Sequence, residues 1–297
     1  MNQQTLFELR QVVNVSKVRQ YSPFRYPGGK TWLVPWVRQW LHSLPAKPVE
    51  FIEPFVGGGS ISLTVAFEDL ADHVLMIELD DQIAAVWRTI LSRNREWLAE
   101  RIVRFKLSYA TAIDVIKTSA TSTRQKAFQT LVKNRTYHGG ILANGSGLLK
   151  HGENGKGIHS RWYPQTLYKR IMDIGKVAHR MTFAEGDGIE AIRRYANIEH
   201  GVFFIDPPYT AGGKKAGKRL YRFCDLDHSE LFRVVSTVRG DFLMTYDDAP
   251  EVEELARTYG FDTYRVPMKG THHILYKELL IGRDLDWART AHKFSAK

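Results

Sequence analysis

The segment Phe51-Ile52-Glu53-Pro54-Phe55-Val56-Gly57-Gly58-Gly59-Ser60 constrains this chain more than any other, because it reads as a strand, a glycine-rich turn and then a helix from Ser60 through about Phe67. Glycines in such a turn let the backbone approach a ligand closely. The spacing is not that of the dinucleotide fingerprint, since Glu53-Pro54 stands where that motif continues its strand. An acidic residue beside the turn disfavours a pyrophosphate and suits a cationic amino acid moiety. A second strand, His73 to Ile77, ends in Glu78-Leu79-Asp80-Asp81. An acid at that point can hold ribose hydroxyls, and Glu78 is read in that role. Asp80 and Asp81 read instead as an acidic loop capping a helix from Gln82.

The tetrad Asp206-Pro207-Pro208-Tyr209 follows the apolar run Val202 to Ile205, where a buried strand ends in a loop. Alone, it is compatible with an ordinary proline turn. Its parts also suit a planar amine: a carboxylate acceptor, two prolyl positions without N–H groups, and an aromatic face. The exocyclic amino group of adenine donates its lone pair to the ring and attacks carbon poorly unless hydrogen bonds from its protons draw it out of conjugation. Asp206 and the carbonyl of Pro207 can accept those protons. Tyr209 can stack on the base, which must first leave the duplex.

A third segment, Arg25-Tyr26-Pro27-Gly28-Gly29-Lys30, leads into a helix with Trp32, Leu33, Trp36, Val37, Trp40, Leu41 and Leu44 at helical spacing. That stripe reads as buried packing. Lys30-Thr31 resembles the end of a phosphate loop, but the first glycine is missing from its required place, which excludes a nucleotide triphosphatase of that type.

In this order the three segments resemble the Dam-type adenine-specific DNA methyltransferases, the alpha group of amino-methyltransferases that use S-adenosylmethionine. The resemblance runs from Ser22 to about Ile281. It implies an α/β fold: a Rossmann-like methyltransferase domain with an inserted, mostly helical target-recognition domain. The implied cofactor contacts are Tyr26, Lys30, Phe55, Gly57, Gly59, Glu78, Asp187 in Glu185-Gly186-Asp187, and Asp206. The implied catalytic residues are Asp206, Pro207 and Tyr209, with Tyr209 stacking on adenine. Glu78 replaces the aspartate more usual at its position, which keeps the charge and lengthens the reach.

The chain has 297 residues, with 42 Lys plus Arg against 32 Asp plus Glu, a net charge of +10 that favours a polyanionic partner, here duplex DNA. No apolar run resembles a transmembrane helix or a signal peptide, so a cytoplasmic protein without a membrane partner is expected. The lone Cys224 rules out an intrachain disulfide and gives no zinc cluster; no metal is expected. Cys224 also lacks the preceding proline found at a cytosine-C5 methylation nucleophile.

The expected domains are an N-terminal extension over 1–20, a catalytic domain over 21–90 and 178–297, and an inserted target-recognition domain over 91–177. The first half of the insert reads as helical and the second as a polar, glycine-rich loop region with interleaved basic and aromatic residues. Lys133, Asn134, Arg135 and Tyr137 are the DNA-binding candidates there. Asn134, Arg135 and Gly140 line up with the family's Asn-Arg-Xaa-Xaa-Xaa-Xaa-Gly segment. Ser146 stands where enzymes that modify GATC carry an arginine, so that specificity does not carry over. Lys214, Lys215, Lys218 and Arg219 follow the tetrad in a glycine-rich segment that reads as a loop gripping the DNA backbone, with salt-dependent binding. Tyr246 ends a strand and is a candidate for the base pocket. His272 and His273 read as loop histidines. RNA adenine methylation, methylation of a cytosine amine and a catalytically silent DNA-binding module remain open on the residues alone.

Overall fold

The computed structural model describes residues 13–26, 28–152, 155–208, 222–223, 225–269 and 275–290. Its centre is a seven-stranded sheet: β1 (Glu50–Glu53), β2 (His73–Glu78), β3 (Met181–Glu185), β4 (Gly201–Ile205), β5 (Asp241–Asp247), β6 (Asp262–Lys269) and β7 (Leu275–Gly282). The spatial order is β3-β2-β1-β4-β5-β7-β6. Pairings from β3 through β5 are parallel, while β7 runs antiparallel to both β5 and β6. The chain reverses its direction of travel across the sheet between β1 and β4, and in such sheets ligands bind beyond the carboxyl ends of the strands at that point.

Side-chain alternation along the strands divides the interior in two. Phe51 and Phe204 face one core with Trp36, Trp40 and Trp87, whereas Ile52 and Phe203 face the other with Phe232 and Tyr246. All five residues of β4 are buried, as expected of a central parallel strand covered on both faces. The tryptophan stripe is packing: Trp36 and Trp40 lie on helix α1 (Val34–Ser43) at no more than 1% exposure.

Helix α2 (Ser60–Phe67) follows the glycine turn, and α3 (Asp81–Ile90) follows β2, capped by the Asp80 side chain accepting from the Gln82 N–H at 2.8 Å. Four further helices precede β3: α4 (Arg95–Arg104), α5 (Tyr109–Lys117), α6 (Thr123–Thr136) and α7 (Pro164–Val177). Two of these correct the sequence reading. Helix α6 continues through Asn134 and Arg135, ending before Gly139 and Gly140, whose φ angles of 64° and 74° break the helix. Helix α7 occupies part of the segment read as loop. Pro164 opens it, and Leu167, Ile171 and Ile174 form a buried stripe within the first core.

The second face of the sheet is covered by α8 (Gly188–Tyr195), α9 (His228–Ser236) and α10 (Pro250–Thr258), which contribute Ile192, Phe232, Val235 and Val252 to its core. Among the described residues, no helix is long and apolar enough to cross a membrane.

Candidate active site

A single cleft beyond the carboxyl ends of β1, β2 and β4 brings the three sequence segments together. It is lined by Tyr26 and Lys30 from the first, by Glu53, Phe55 and Gly57 to Gly59 from the second, and by Asp206 and Pro208 from the tetrad. Glu78 and Asp187 complete the wall on the β2 side. Every described residue expected to contact the cofactor is therefore on one cleft. Tyr209 and the cations Lys214, Lys215, Lys218 and Arg219 lie outside the described residues, as do His272 and His273.

The glycine turn is fixed between two aromatic rings. A Cβ on Gly57 would come within 2.6 Å of a Tyr26 ring carbon, and one on Gly59 within 2.7 Å of the Trp87 ring; both glycines have positive φ, 44° and 63°. Trp87 Nε1 donates to the Gly57 carbonyl at 3.0 Å, and the Ser22 hydroxyl donates to that of Gly58. The rings leave no room for a side chain at either glycine. Tyr26 and Ser22 thus pack the first segment against the turn.

Of two acids beside the turn, Glu53 is buried and Glu78 half-buried. The Gly57 N–H donates to one oxygen of Glu78 and the Asp80 N–H to the other, each at 2.9 Å. Desolvation nevertheless pushes the Glu78 carboxyl up to about 7. Glu53 accepts from the Ser62 N–H at 2.9 Å and from the Ser62 hydroxyl, and burial pushes it further, up to about 8, with Asp206 and Glu78 adding repulsion. Because the folded value lies above the unfolded one, the protonated form is the stabilising one. Its contribution is complete below about pH 4.5 and is lost as pH rises through about 8. Glu53→Gln should therefore melt several degrees above the parent at pH 9, at roughly 2–4 °C per kcal/mol, and much closer to it near pH 4.5, where burying the acid costs the parent least. Equal melting differences at the two pH values would remove burial of the charge as the cause.

Lys30 and Thr245 meet at one oxygen of Asp206. Its Oδ1 accepts from the Thr245 hydroxyl at 2.9 Å and lies 3.0 Å from Lys30 Nζ. The same ammonium is 2.9 Å from Glu278 Oε1 and 3.2 Å from the Gly28 carbonyl, so three acceptors surround its three donors. Sequence reading missed Thr245 and Glu278. Both lie inside apolar strands without a motif, and only the strand pairing brings them to this point.

The DNA candidates divide. Lys133 and Tyr137 line a polar groove that meets the cleft at Arg222, which bridges Asp80 and Asp81 at 2.7 and 2.6 Å. Asn134 is fully buried. Its amide accepts from the Arg25 N–H and donates to the Arg25 and Gly140 carbonyls, all at 2.8 Å, so it ties α6 to the first segment rather than facing a nucleic acid. Arg135 is also buried and donates to the Pro23 carbonyl. Burial, with Arg170, Arg25 and Arg161 nearby, pushes its guanidinium down to about 9. Both corrections have one cause: residues 134 and 135 fall on the inner face of a helix that the sequence reading ended too early. Tyr246 likewise sits inside the second core, with its hydroxyl 2.8 Å from His228 Nδ1 and its ionisation pushed up by burial. It does not line the cleft. Among the described residues, no group of three or more His, Cys, Asp or Glu side chains is placed to hold a metal.

The strand order, with its glycine turn and acids at the switch point, defines a Rossmann-like α/β fold with its ligand cleft at that point. The chain belongs to the D12 class N6 adenine-specific DNA methyltransferase family, whose family model matches residues 26–267. It is an adenine-specific DNA methyltransferase, and S-adenosylmethionine is its cofactor. Among solved structures it is similar to a protein proposed to be an RNA methyltransferase from Pyrococcus horikoshii, with 10% identity, a TM-score of 0.40, and 90% of this chain and 92% of that one covered. It is also similar to the rRNA methyltransferase aviRa from Streptomyces viridochromogenes, with 13% identity, a TM-score of 0.37 and 96% of each chain covered. No curated protein matches the chain. The donor set fits the cofactor: Glu53, Glu78, Asp187 and Asp206 offer negative charge to a ligand carrying an ammonium, a sulfonium and two ribose hydroxyls, while Phe55 and Leu79 offer apolar surface.

Proposed function

We propose that this enzyme methylates the exocyclic N6 amine of adenine at a specific site in duplex DNA, after the base has been flipped out of the helix, by direct transfer without a covalent enzyme intermediate. The observation that carries the reading is Asp206, pinned by Lys30 and Thr245 at the edge of the cleft that the glycine turn also lines.

Tyr26, Phe55, Gly57, Gly59, Glu78 and Asp187 hold the cofactor, with Lys30 and Asp206 at the end where the amine enters. When bound, S-adenosylmethionine supplies an electrophilic methyl carbon on a cationic sulfur, to which the amine bonds as the carbon–sulfur bond breaks and one amine proton is released. Asp206 and the Pro207 carbonyl accept hydrogen bonds from the two amine N–H groups and draw the nitrogen lone pair out of conjugation, and Asp206 is placed to take the one proton released. Tyr209 stacks on the flipped ring. Lys30 and Thr245 fix the rotation of the Asp206 carboxylate, so alignment is set before the base arrives. The polar groove at Lys133 and Tyr137 takes the flanking duplex, and Lys214, Lys215, Lys218 and Arg219 contact the DNA backbone.

The test is methyl transfer from labelled cofactor to bacterial DNA lacking adenine methylation, to the same DNA heat-denatured, and to total RNA. Label should appear as N6-methyldeoxyadenosine from the duplex, and duplex binding should weaken steeply as salt rises. Label in RNA, in cytosine, or from denatured DNA alone would sink the proposal.

A further inference from the structure

We propose that Glu278 is a positioning residue for methyl transfer, acting on Asp206 through Lys30. The inference rests on the reading of Asp206 as the acceptor of the amine protons.

Glu278 lies on β7, where it pairs with Asp247 of β5 on one side and Val266 of β6 on the other. It is 4% exposed, and its neighbours on the strand, Leu279 and Leu280, are fully buried. A carboxylate in such surroundings carries a large desolvation cost unless a cation meets it. Lys30 does so at 2.9 Å while also reaching Asp206 Oδ1 at 3.0 Å. The ammonium thus links the loop after β4 to β7, across the intervening β5 that supplies Thr245.

The charge count gives this linkage its consequence. One cation is shared by two carboxylates, so the trio of Lys30, Asp206 and Glu278 carries a net negative charge with all three ionised. Glu278 draws part of the ammonium's field away from Asp206, and Asp206 remains a strong acceptor for the amine. With Glu278 neutral, Lys30 loses one of its two carboxylate partners and its charge falls more fully on Asp206. The tighter pair weakens Asp206 as an acceptor and lets the ammonium shift, so alignment suffers as well. Because the amine protons need that acceptor in the transition state, the loss falls on kcat rather than on binding of either substrate.

Four variants test this: Glu278→Gln, Lys30→Met, the double variant, and Asp206→Ala. Each is assayed for kcat, for KM toward cofactor and DNA, and for melting temperature, with rates expressed per cofactor-binding site so that misfolded protein is not counted. Glu278→Gln, which keeps size and an acceptor oxygen, should lower kcat roughly 10- to 100-fold with both KM values within about threefold of the parent. The double variant should be no slower than Lys30→Met, because the proposed effect of Glu278 on Asp206 runs through that side chain. A Glu278→Gln enzyme with parental kcat per site, or rate losses that multiply in the double variant, overturns the role of Glu278 while Asp206→Ala remains dead. Turnover by Asp206→Ala would instead overturn the reading of Asp206 on which the inference stands.

Discussion

Asp206→Ala is expected to lose methyl transfer altogether, with a rate reduced at least about a thousandfold, or roughly 4 kcal/mol of transition-state stabilisation. An acceptor aimed at the amine protons matters little to a base that merely sits in the cleft. It matters greatly once the nitrogen must offer its lone pair to carbon. The fold should survive the change, because Lys30 keeps Glu278 and the Gly28 carbonyl as partners and no buried cation is stranded. The measurement pairs initial rates with melting curves. A folded Asp206→Ala enzyme turning over within tenfold of the parent would refute the assignment.

Gly57→Ala should have the next largest effect, this time on cofactor binding. The added methyl would lie 2.6 Å from a Tyr26 ring carbon, on a backbone whose φ of 44° already disfavours any side chain. The backbone cost is about 1–2 kcal/mol. The collision has to be relieved by moving Tyr26 or the turn itself. Either movement disturbs the Gly57 N–H bond to Glu78 and the Trp87 bond to the Gly57 carbonyl, which together shape the cleft wall. Cofactor affinity measured calorimetrically should fall by about two orders of magnitude, with the melting temperature lowered by several degrees. An unchanged dissociation constant would show that the turn does not contact the cofactor.

The cleft keeps two carboxyls, Glu53 and Glu78, in surroundings that favour their protonated forms. A cationic ligand favours the ionised forms instead. On the proposed binding mode, a cationic cofactor would therefore shift both groups toward ionisation.

Much of this site was legible because its chemistry is local in sequence. Gly57 to Gly59 and the Asp206 tetrad each end an apolar strand, and the strand-then-loop pattern is enough to put both at one edge of a parallel sheet. The tryptophan spacing in α1 marked a buried face for the same reason. What escaped is non-local. Glu278 and Thr245 look like ordinary strand residues until β7 and β5 pair beside β4. Asn134 and Arg135 read as DNA contacts because basic and aromatic residues interleave around them in a stretch that reads as loop. Helix α6 in fact reaches Thr136 and turns both side chains inward against the loop of Pro23 and Arg25. Helices α8 and α9 carry their apolar residues in short stretches of nine residues or fewer, which periodicity alone resolves poorly.

The most direct test of an Asp206-centred adenine methylase is made on DNA from living cells. Plasmid from a host without its own adenine methylation, expressing either the parent or Asp206→Ala, is sequenced by a method that reports methylated bases in context. The parent should leave N6-methyladenine in one recurring sequence context and Asp206→Ala none; methylated cytosine from the parent, or methyladenine persisting with Asp206→Ala, would contradict the account.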